Sequence, residues 1–190
     1  MAIKRDDAVL IRNLLDRGFD PNTQNSAGYF GLMLALKEPS PKVVDVLLDH
    51  PATRVEVRNA SDESPLMLAS IIGWVDVCSR LIARDADVNK PGWTPLHYAA
   101  TGAKLAVIQL LLTNHAYIDA ASPNGSTPLM MAAMYGSAPA VKLLLDAGAD
   151  PTLKNDLGLS AIDFARRANK GDAAEAIAVS IRAKRPTGIW

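Results

Sequence analysis

The side chains that could do chemistry in this 190-residue chain are few and scattered. The three histidines, His50, His97 and His115, lie far apart, and none has a second ligand at the spacing of a metal site. Cys78 lies among apolar residues of one helical face, without a His or Asn motif that would activate a nucleophile. We therefore interpret Cys78 as a buried, inert thiol, and His50 and His115 as residues at helix ends.

Acidic and glycine-rich patterns give no catalytic signal either. Aspartates recur at equivalent positions of a repeated pattern, and turn chemistry explains a repeated acid better than an acid–base pair does: Asp20, Asp87, Asp119 and Asp150. Asn124-Gly125-Ser126 is a hairpin-turn signal, not a phosphate loop. We expect a protein that is not an enzyme and holds no metal or cofactor. An enzyme or ligand carrier, which needs clustered titratable groups around a pocket, is the remote alternative.

Composition narrows the class of partner. The 20 Lys and Arg residues balance the 20 Asp and Glu residues, so no global charge attracts nucleic acid or an anionic membrane. No apolar run approaches the roughly 20 residues that span a bilayer. The start of the chain has no apolar stretch typical of a signal peptide. The sequence predicts no nucleic-acid binding and no membrane insertion, and its length suits one well-filled domain.

The elements that must position these residues repeat along the chain. Thr94-Pro95-Leu96-His97 returns further along the chain as Thr127-Pro128-Leu129-Met130. A third copy begins at Ser64, and degenerate copies begin at Phe30 and Ser160. A hydroxyl caps a helix start, and proline is tolerated at the first helical position because its missing N–H bonds nothing there. The motif therefore predicts a short helix at each copy.

A second pattern, an apolar helix that ends in a tight turn, recurs between these motifs. The position after this helix needs a left-handed backbone, and it is occupied by Gly18, Asp85, His115 and Gly148. Glycine adopts that conformation without strain, and Asp and His tolerate it better than most residues. Each repeat is thus predicted to be a helix–turn–helix unit followed by a connecting finger.

These repeats resemble the ankyrin repeat, whose period is about 33 residues and whose signature is T-P-L-H-x-A. The resemblance covers nearly the whole chain. It implies an all-α solenoid of stacked helix–turn–helix units with short β-hairpin-like fingers, in which His97 ties neighbouring turns by hydrogen bonds. We interpret the chain as a small stand-alone ankyrin domain of bacterial type. The implied function is non-catalytic binding of a protein partner, and the alternative is an accessory or inhibitory regulator of one specific enzyme.

The repeats divide the predicted single domain, 1–190, into a partial N-terminal cap, four repeats, a C-terminal cap repeat and a tail. The boundaries are 1–22, 23–57, 58–89, 90–120, 121–153, 154–183 and 184–190. The interval from Ser64 to Thr94 is shorter than the interval from Thr94 to Thr127, which predicts a stunted finger at 89–92. The segment 50–62 predicts a distorted or strand-like finger, because Pro51 interrupts it and Val55-Glu56-Val57 alternates in polarity.

The N-terminal cap shows one helix, roughly Asp6 to Arg17, and its partner helix is absent or very short. This suggests a shortened chain, or a mature chain that begins inside the cap. A cytoplasmic location is the default expectation. A periplasmic or secreted location follows if an export signal has been removed.

The resemblance also implies where a partner binds, namely the finger tips and the first-helix side of the concave face. The matching positions are Tyr29, Ile71, Ile72, Trp93, Thr101, Met134 and Tyr135. An apolar and aromatic centre with a charged rim is typical of a recognition surface. The alternative is that Ile71 and Ile72 pack against the next repeat and that Trp93 covers the shortened finger. We expect a protein partner of unknown identity and a monomeric chain.

Basic residues cluster near the C-terminus, in the run Arg166-Arg167-Asn169-Lys170 and again at Arg182, Lys184 and Arg185. We interpret this cluster as a solvated cap face, since charge runs usually are. Contact with an acidic partner is the alternative. Trp74, between two predicted helices, is assigned to packing.

Overall fold

The computed structural model describes residues 2–183, so the predicted tail 184–190 lies outside the described residues. Within that range the chain forms a 3-10 turn, Ile3–Arg5, and eleven α-helices, and no sheet. The helices are α1 Ala8–Asp16, α2 Gly31–Lys37, α3 Pro41–Asp49, α4 Pro65–Ile72, α5 Val75–Ile82, α6 Pro95–Thr101, α7 Leu105–Thr113, α8 Pro128–Met134, α9 Ala138–Asp146, α10 Ala161–Arg167 and α11 Gly171–Ala183.

The contacts group these helices into two compact units. Of the described residues, the first unit holds those up to Ala69 and Asp76–Asp87, and the second holds Ser70–Val75 and those from Val88 onward. No described helix combines the length and the apolarity needed to cross a membrane. The division of the chain into individual repeats stays a prediction.

In the first unit, α3 packs against both α1 and α2. Its core consists of fully or nearly fully buried aliphatic side chains, Leu32, Met33, Leu36, Val43, Val44 and Leu47. The 3-10 turn is tied to these helices by polar contacts. Ser40 Oγ donates to Ile3 O at 2.7 Å, and Asp6 Oδ1 accepts from Val43 N at 2.9 Å. The segment before α1 is therefore bound to the start of α3.

Two neighbouring arginines of the first unit have different partners. Arg84 donates to the backbone oxygens of Leu48 and Thr53, each at 2.7 Å, and so binds the carbonyl end of α3. Arg80 forms ion pairs with Asp45 at 2.7 Å and Asp49 at 2.8 Å, and both carboxylates are largely exposed. Only Arg84 holds groups that water does not readily reach.

The finger at 50–62 is distorted, but the strand-like alternative is wrong. Among the described residues, bridges join Gln24 to Phe30 and Lys154 to Ser160, and none involves 55–57. Val55 and Val57 alternate with Glu56 because the two valines are buried while the carboxylate pairs with Arg58 at 2.6 Å. Alternating burial thus arises here without strand pairing.

Each helix–turn–helix pair has a first and a second helix. In the second unit the first helices, α6, α8 and α10, pack side by side, and the second helices, α7, α9 and α11, pack behind them. Small residues make the close approach possible. A Cβ on Gly136 would lie 2.4 Å from Ala100 O, and one on Gly102 would lie 2.6 Å from Ile71 O. The ends of successive first helices therefore lie next to each other.

The capping and turn predictions are confirmed. Thr94 and Thr127 precede α6 and α8, and each forms a capping box with the third helical residue. Left-handed backbone occurs at every position predicted to need it, with φ of 85° at Gly18, 64° at Asp85, 63° at His115 and 104° at Gly148. The short helix predicted at the motif copy that begins at Ser160 spans Ala161–Arg167.

Candidate functional site

The structure distributes the seven predicted binding residues over both units. Tyr29 lies in the first unit, and the other six lie in the second: Ile71, Ile72, Trp93, Thr101, Met134 and Tyr135. Each unit is therefore described by itself.

In the second unit, five of these residues form a row at the ends of the first helices. Ile71 and Ile72 end α4, Thr101 ends α6, and Met134 and Tyr135 end α8. The close contacts of Gly102 and Gly136 with the preceding helix ends bring them side by side. Tyr135 is 61% exposed, whereas the other four are half-buried. We call these five residues the end row.

Trp93 lies at the opposite end of the first helices. It precedes the capping residue Thr94, so it is separated from Thr101 by the length of α6, about 10 Å at 1.5 Å per residue. Its indole meets the ring of His97 edge-on, with centroids 5.2 Å apart at 80°. The Nζ of Lys90 donates to Trp93 O at 3.2 Å. Trp93 is therefore half-buried in local packing while it keeps an accessible surface.

In the first unit, Tyr29 pairs with a lysine of α2. Lys37 Nζ donates to the Tyr29 hydroxyl at 2.7 Å and lies 4.4 Å from the centre of its ring. The hydrogen bond from Lys37 to Tyr29 is the main cause that raises the pKa of Lys37. The ammonium group of Lys37 therefore already lies over the ring of Tyr29.

Two aromatic residues of the first helices were not among the predicted binding residues. Tyr98 and Phe164 are half-buried and lie three residues before Thr101 and Arg167, so each shares a helix face with the end of its own helix. Between them in α8 the equivalent residue, Met131, is buried at 6% exposure. Their spacing, three residues before the end of each predicted helix, is the sequence pattern that could have predicted them.

His97 performs the linking role that its motif implied. Its Nε2 lies 2.9 Å from Ser126 O, so this nitrogen carries the proton, because a carbonyl can only accept. Nδ1 then accepts from Thr94 N at 3.2 Å. Burial lowers the pKa of His97 to about 4. The imidazole is thus a neutral link from one helix start to the next finger, with no accessible nitrogen for chemistry.

A thiol and one carboxylate are also explained by packing and hydrogen bonding. Cys78 is fully buried, as predicted. Asp163 accepts from both the N–H and the hydroxyl of Ser160, at 2.9 and 2.7 Å, and these bonds lower its pKa. No three metal-ligating side chains cluster within residues 2–183.

Two cavities of the second unit have different linings. One, of about 530 Å³, lies between α9 and α11, with apolar Leu145 and Val179 and several charged side chains in its wall. The other, of about 410 Å³, lies beside the shortened finger and is lined by Asn89, Pro91 and Tyr117 among others. Both are open surface depressions without a histidine or cysteine in the lining.

Comparison with known proteins agrees with the repeat pattern. The family model described as ankyrin repeats, three copies, matches residues 1–91, 32–122, 76–155 and 103–184. The Neurogenic locus notch homolog protein 1 of Danio rerio is 31% identical over 173 residues, covering 82% of this chain and 7% of that protein. The B-cell lymphoma 3 protein homolog of Mus musculus is 32% identical over 153 residues, covering 77% and 34% respectively. The chain thus spans well under two thirds of the length of these relatives.

Solved structures give the same fold over almost the whole chain. One similar chain comes from the structure of a complex between a predatory endopeptidase of Bdellovibrio bacteriovorus and an immunity protein. It has a TM-score of 0.78 and 30% identity over 94% of this chain and 95% of that one. The human ASB11 ankyrin repeat domain has a TM-score of 0.83 and 26% identity over 98% and 82%. The predicted all-α ankyrin fold is confirmed, and the chain belongs to the ankyrin repeat family.

Proposed function

We propose that the chain is a non-catalytic interaction module that binds a protein partner through the end row, with Trp93 as a further contact of the second unit and Tyr29 as a contact of the first. The observation that carries this proposal is the exposure of Tyr135, 61%, beside the half-buried Met134 on rigid helix ends. Exposed aromatic and Met side chains on a fixed scaffold are typical of binding hot spots.

A second candidate is an accessory or inhibitory regulator of one specific enzyme. It is favoured by the likeness to a chain from an endopeptidase–immunity protein complex, which extends over 94% of this chain and 95% of that one. By contrast, the likeness to Notch homolog protein 1 covers only 7% of that protein. An endopeptidase is therefore the first enzyme class to test as partner.

The experiment begins with a photo-crosslinking amino acid at position 135, which identifies the partner by mass spectrometry after crosslinking in cells. Tyr135→Ala should then weaken the purified complex about tenfold or more, and Trp93→Ala with Tyr135→Ala about a hundredfold or more, since a hot-spot truncation costs about 2 kcal/mol. Tyr117→Ala is the matched control, because Tyr117 is an equally exposed aromatic residue, 69%, outside the end row.

Unchanged affinity in Tyr135→Ala, with helical content and melting temperature preserved, would overturn the proposed surface. The single variant keeps this test valid even if Trp93→Ala disturbs packing against His97. If the crosslinked partner is an endopeptidase, its turnover with and without the chain separates the regulator from a simple binding module.

A further inference from the structure

Cations surround the end row in the second unit. Lys170 Nζ donates to Gly136 O at 2.6 Å, which places an ammonium group beside Tyr135. Lys104 crosses the turn after Ile72, since a Cβ on Gly73 would lie 2.7 Å from Lys104 Cδ. Lys104 thus lies at the turn after Ile71 and Ile72, and Lys170 lies at the turn after Met134 and Tyr135.

Two arginines continue this charge along the row. Arg166 and Arg167 are exposed at the end of α10, which packs against α8. Arg167 ends α10 as Met134 ends α8, and it forms no ion pair with another described residue. The carboxylate closest to them within α10, Asp163, is already bound to Ser160. The guanidinium groups are thus available to a ligand.

The carboxylates of the second unit lie mainly elsewhere. Asp146 and Glu175 on the outer helices are paired with Lys142 at 2.6 Å and Arg182 at 2.8 Å. Three more lie in the fingers, at Asp119, Asp150 and Asp156. Asp172 is the exception, because it lines a depression together with Gly136 and Lys170, and it also lines the cavity between α9 and α11. One carboxylate, Asp172, therefore lies near the four cations beside the end row, and a positive charge remains there.

We propose, on the basis of the function proposed above, that the partner presents an acidic segment with an aromatic or aliphatic anchor to the end row. The anchor covers Met134 and Tyr135, and its flanking Asp or Glu residues bind the guanidinium groups of Arg166 and Arg167. A planar guanidinium can donate two parallel hydrogen bonds to one carboxylate. Complementary charge across such a surface selects partners and speeds their association.

The test is to select peptides that bind the purified protein from a phage-displayed library of random peptides. Enriched peptides should combine Asp or Glu with an aromatic or aliphatic residue. A synthetic peptide of the enriched sequence should bind with an affinity that falls as salt rises, because exposed charges are screened. Arg166→Glu with Arg167→Glu should weaken binding of this peptide about tenfold or more, because two attractive charges are replaced by two repulsive ones.

The matched control is Lys142→Glu with Arg182→Glu, which changes the net charge equally on the outer helices. Its affinity for the peptide should stay within about twofold of the parent's, because both residues lie on the outer helices and exposed charges are screened by salt. Circular dichroism and melting of both variants check that the fold persists.

Enriched peptides without an acidic preference, no enriched peptide at all, or equal losses in both double variants would overturn the acidic-segment inference. Peptides that need Tyr135 but not the arginines would refute this inference and leave the proposed function standing. Peptides that bind independently of Tyr135 would instead contradict the proposed surface.

Discussion

Acidification should destabilise the second unit through a single buried imidazole, that of His97. At neutral pH its Nε2–H donates to Ser126 O, and its bare Nδ1 accepts from Thr94 N. Protonation places a second N–H at Nδ1, so the N–H of Thr94, at 3.2 Å, loses its acceptor, and the Thr94 hydroxyl, at 2.8 Å, can no longer donate to the ring. Burial adds the cost of a poorly solvated charge, which is the main cause of the lowered pKa.

The magnitude follows from the difference between the folded and unfolded pKa values of His97. The folded value is about 4 and the ordinary value is 6.5, which corresponds to about 3 kcal/mol of unfolding free energy. Because the folded pKa is the lower one, the unfolded chain binds the proton first as the pH falls. This stability is fully present above pH 6.5, is lost progressively between about 6.5 and 4, and changes no further below that range.

Urea unfolding of the wild type and of His97→Gln at several pH values between 7 and 4.5 measures this effect. His97→Gln should be less stable at pH 7, by about 1–3 kcal/mol, because its hydrogen bonds are lost or poorer. Its deficit should shrink as the pH falls, since it lacks the titrating group. Carboxylates such as Asp163 titrate in both proteins and cancel in the comparison, and His115→Gln, at an exposed helix end, is the control.

Parallel pH profiles for the wild type and His97→Gln would refute the reasoning. An imidazole NMR titration of the folded protein gives an independent check. A measured pKa near 6.5 for His97 would show that the ring is neither desolvated nor held in one tautomer as the geometry requires.

Two further predictions each compare a pair of variants, one pair testing helix packing and the other testing hydrogen bonds to backbone carbonyls. Gly136→Ala should lower the stability by about 1–3 kcal/mol, because its Cβ would overlap the carbonyl of the neighbouring helix, whereas Gly171→Ala, in open space at a helix start, should raise it by about 0.5 kcal/mol. Melting temperatures decide, and similar shifts would contradict this account. Arg84→Met should cost about 2 kcal/mol and Arg80→Met less than about 1 kcal/mol, because only Arg84 binds carbonyls at a helix end. Urea denaturation measures both, and equal losses would be evidence against it.

The parts of the fold that could be predicted from the sequence are those set by local stereochemistry. A hydroxyl followed by proline specifies a helix start, and the structure has capping boxes at Thr94 and Thr127. Left-handed turns at Asp85 and His115 were also predictable, because the register of the repeats placed them where other repeats have glycine. These features depend on a few neighbouring residues. The same local pattern recurs about every 33 residues, which makes the prediction at each copy more specific.

Contacts that depend on distant residues were not predictable in this way. The partners of Arg84 are backbone carbonyls far earlier in the chain, those of Leu48 and Thr53, and no side-chain pattern marks a carbonyl acceptor. Burial of Val55 and Val57 produced an alternation that resembled a strand, although the segment has no pairing partner among the described residues. Alternating burial requires only that one side of an extended segment faces a core, so the pattern alone cannot distinguish the two cases.

The two ends of a first helix differ in how strongly their side chains are tied to the fold, and this difference makes the end row a better binding candidate than Trp93. At the start of α6, Thr94, His97 and Trp93 form one packed, hydrogen-bonded group, so a change there alters the fold as well as the surface. At the other end, the turn after α8 is held by the small Gly136 and by Lys170 bonding its carbonyl, contacts that do not involve the side chain of Tyr135. The exposed side chain of Tyr135 can therefore change at little cost in stability, whereas a change at Thr94 or His97 alters the fold.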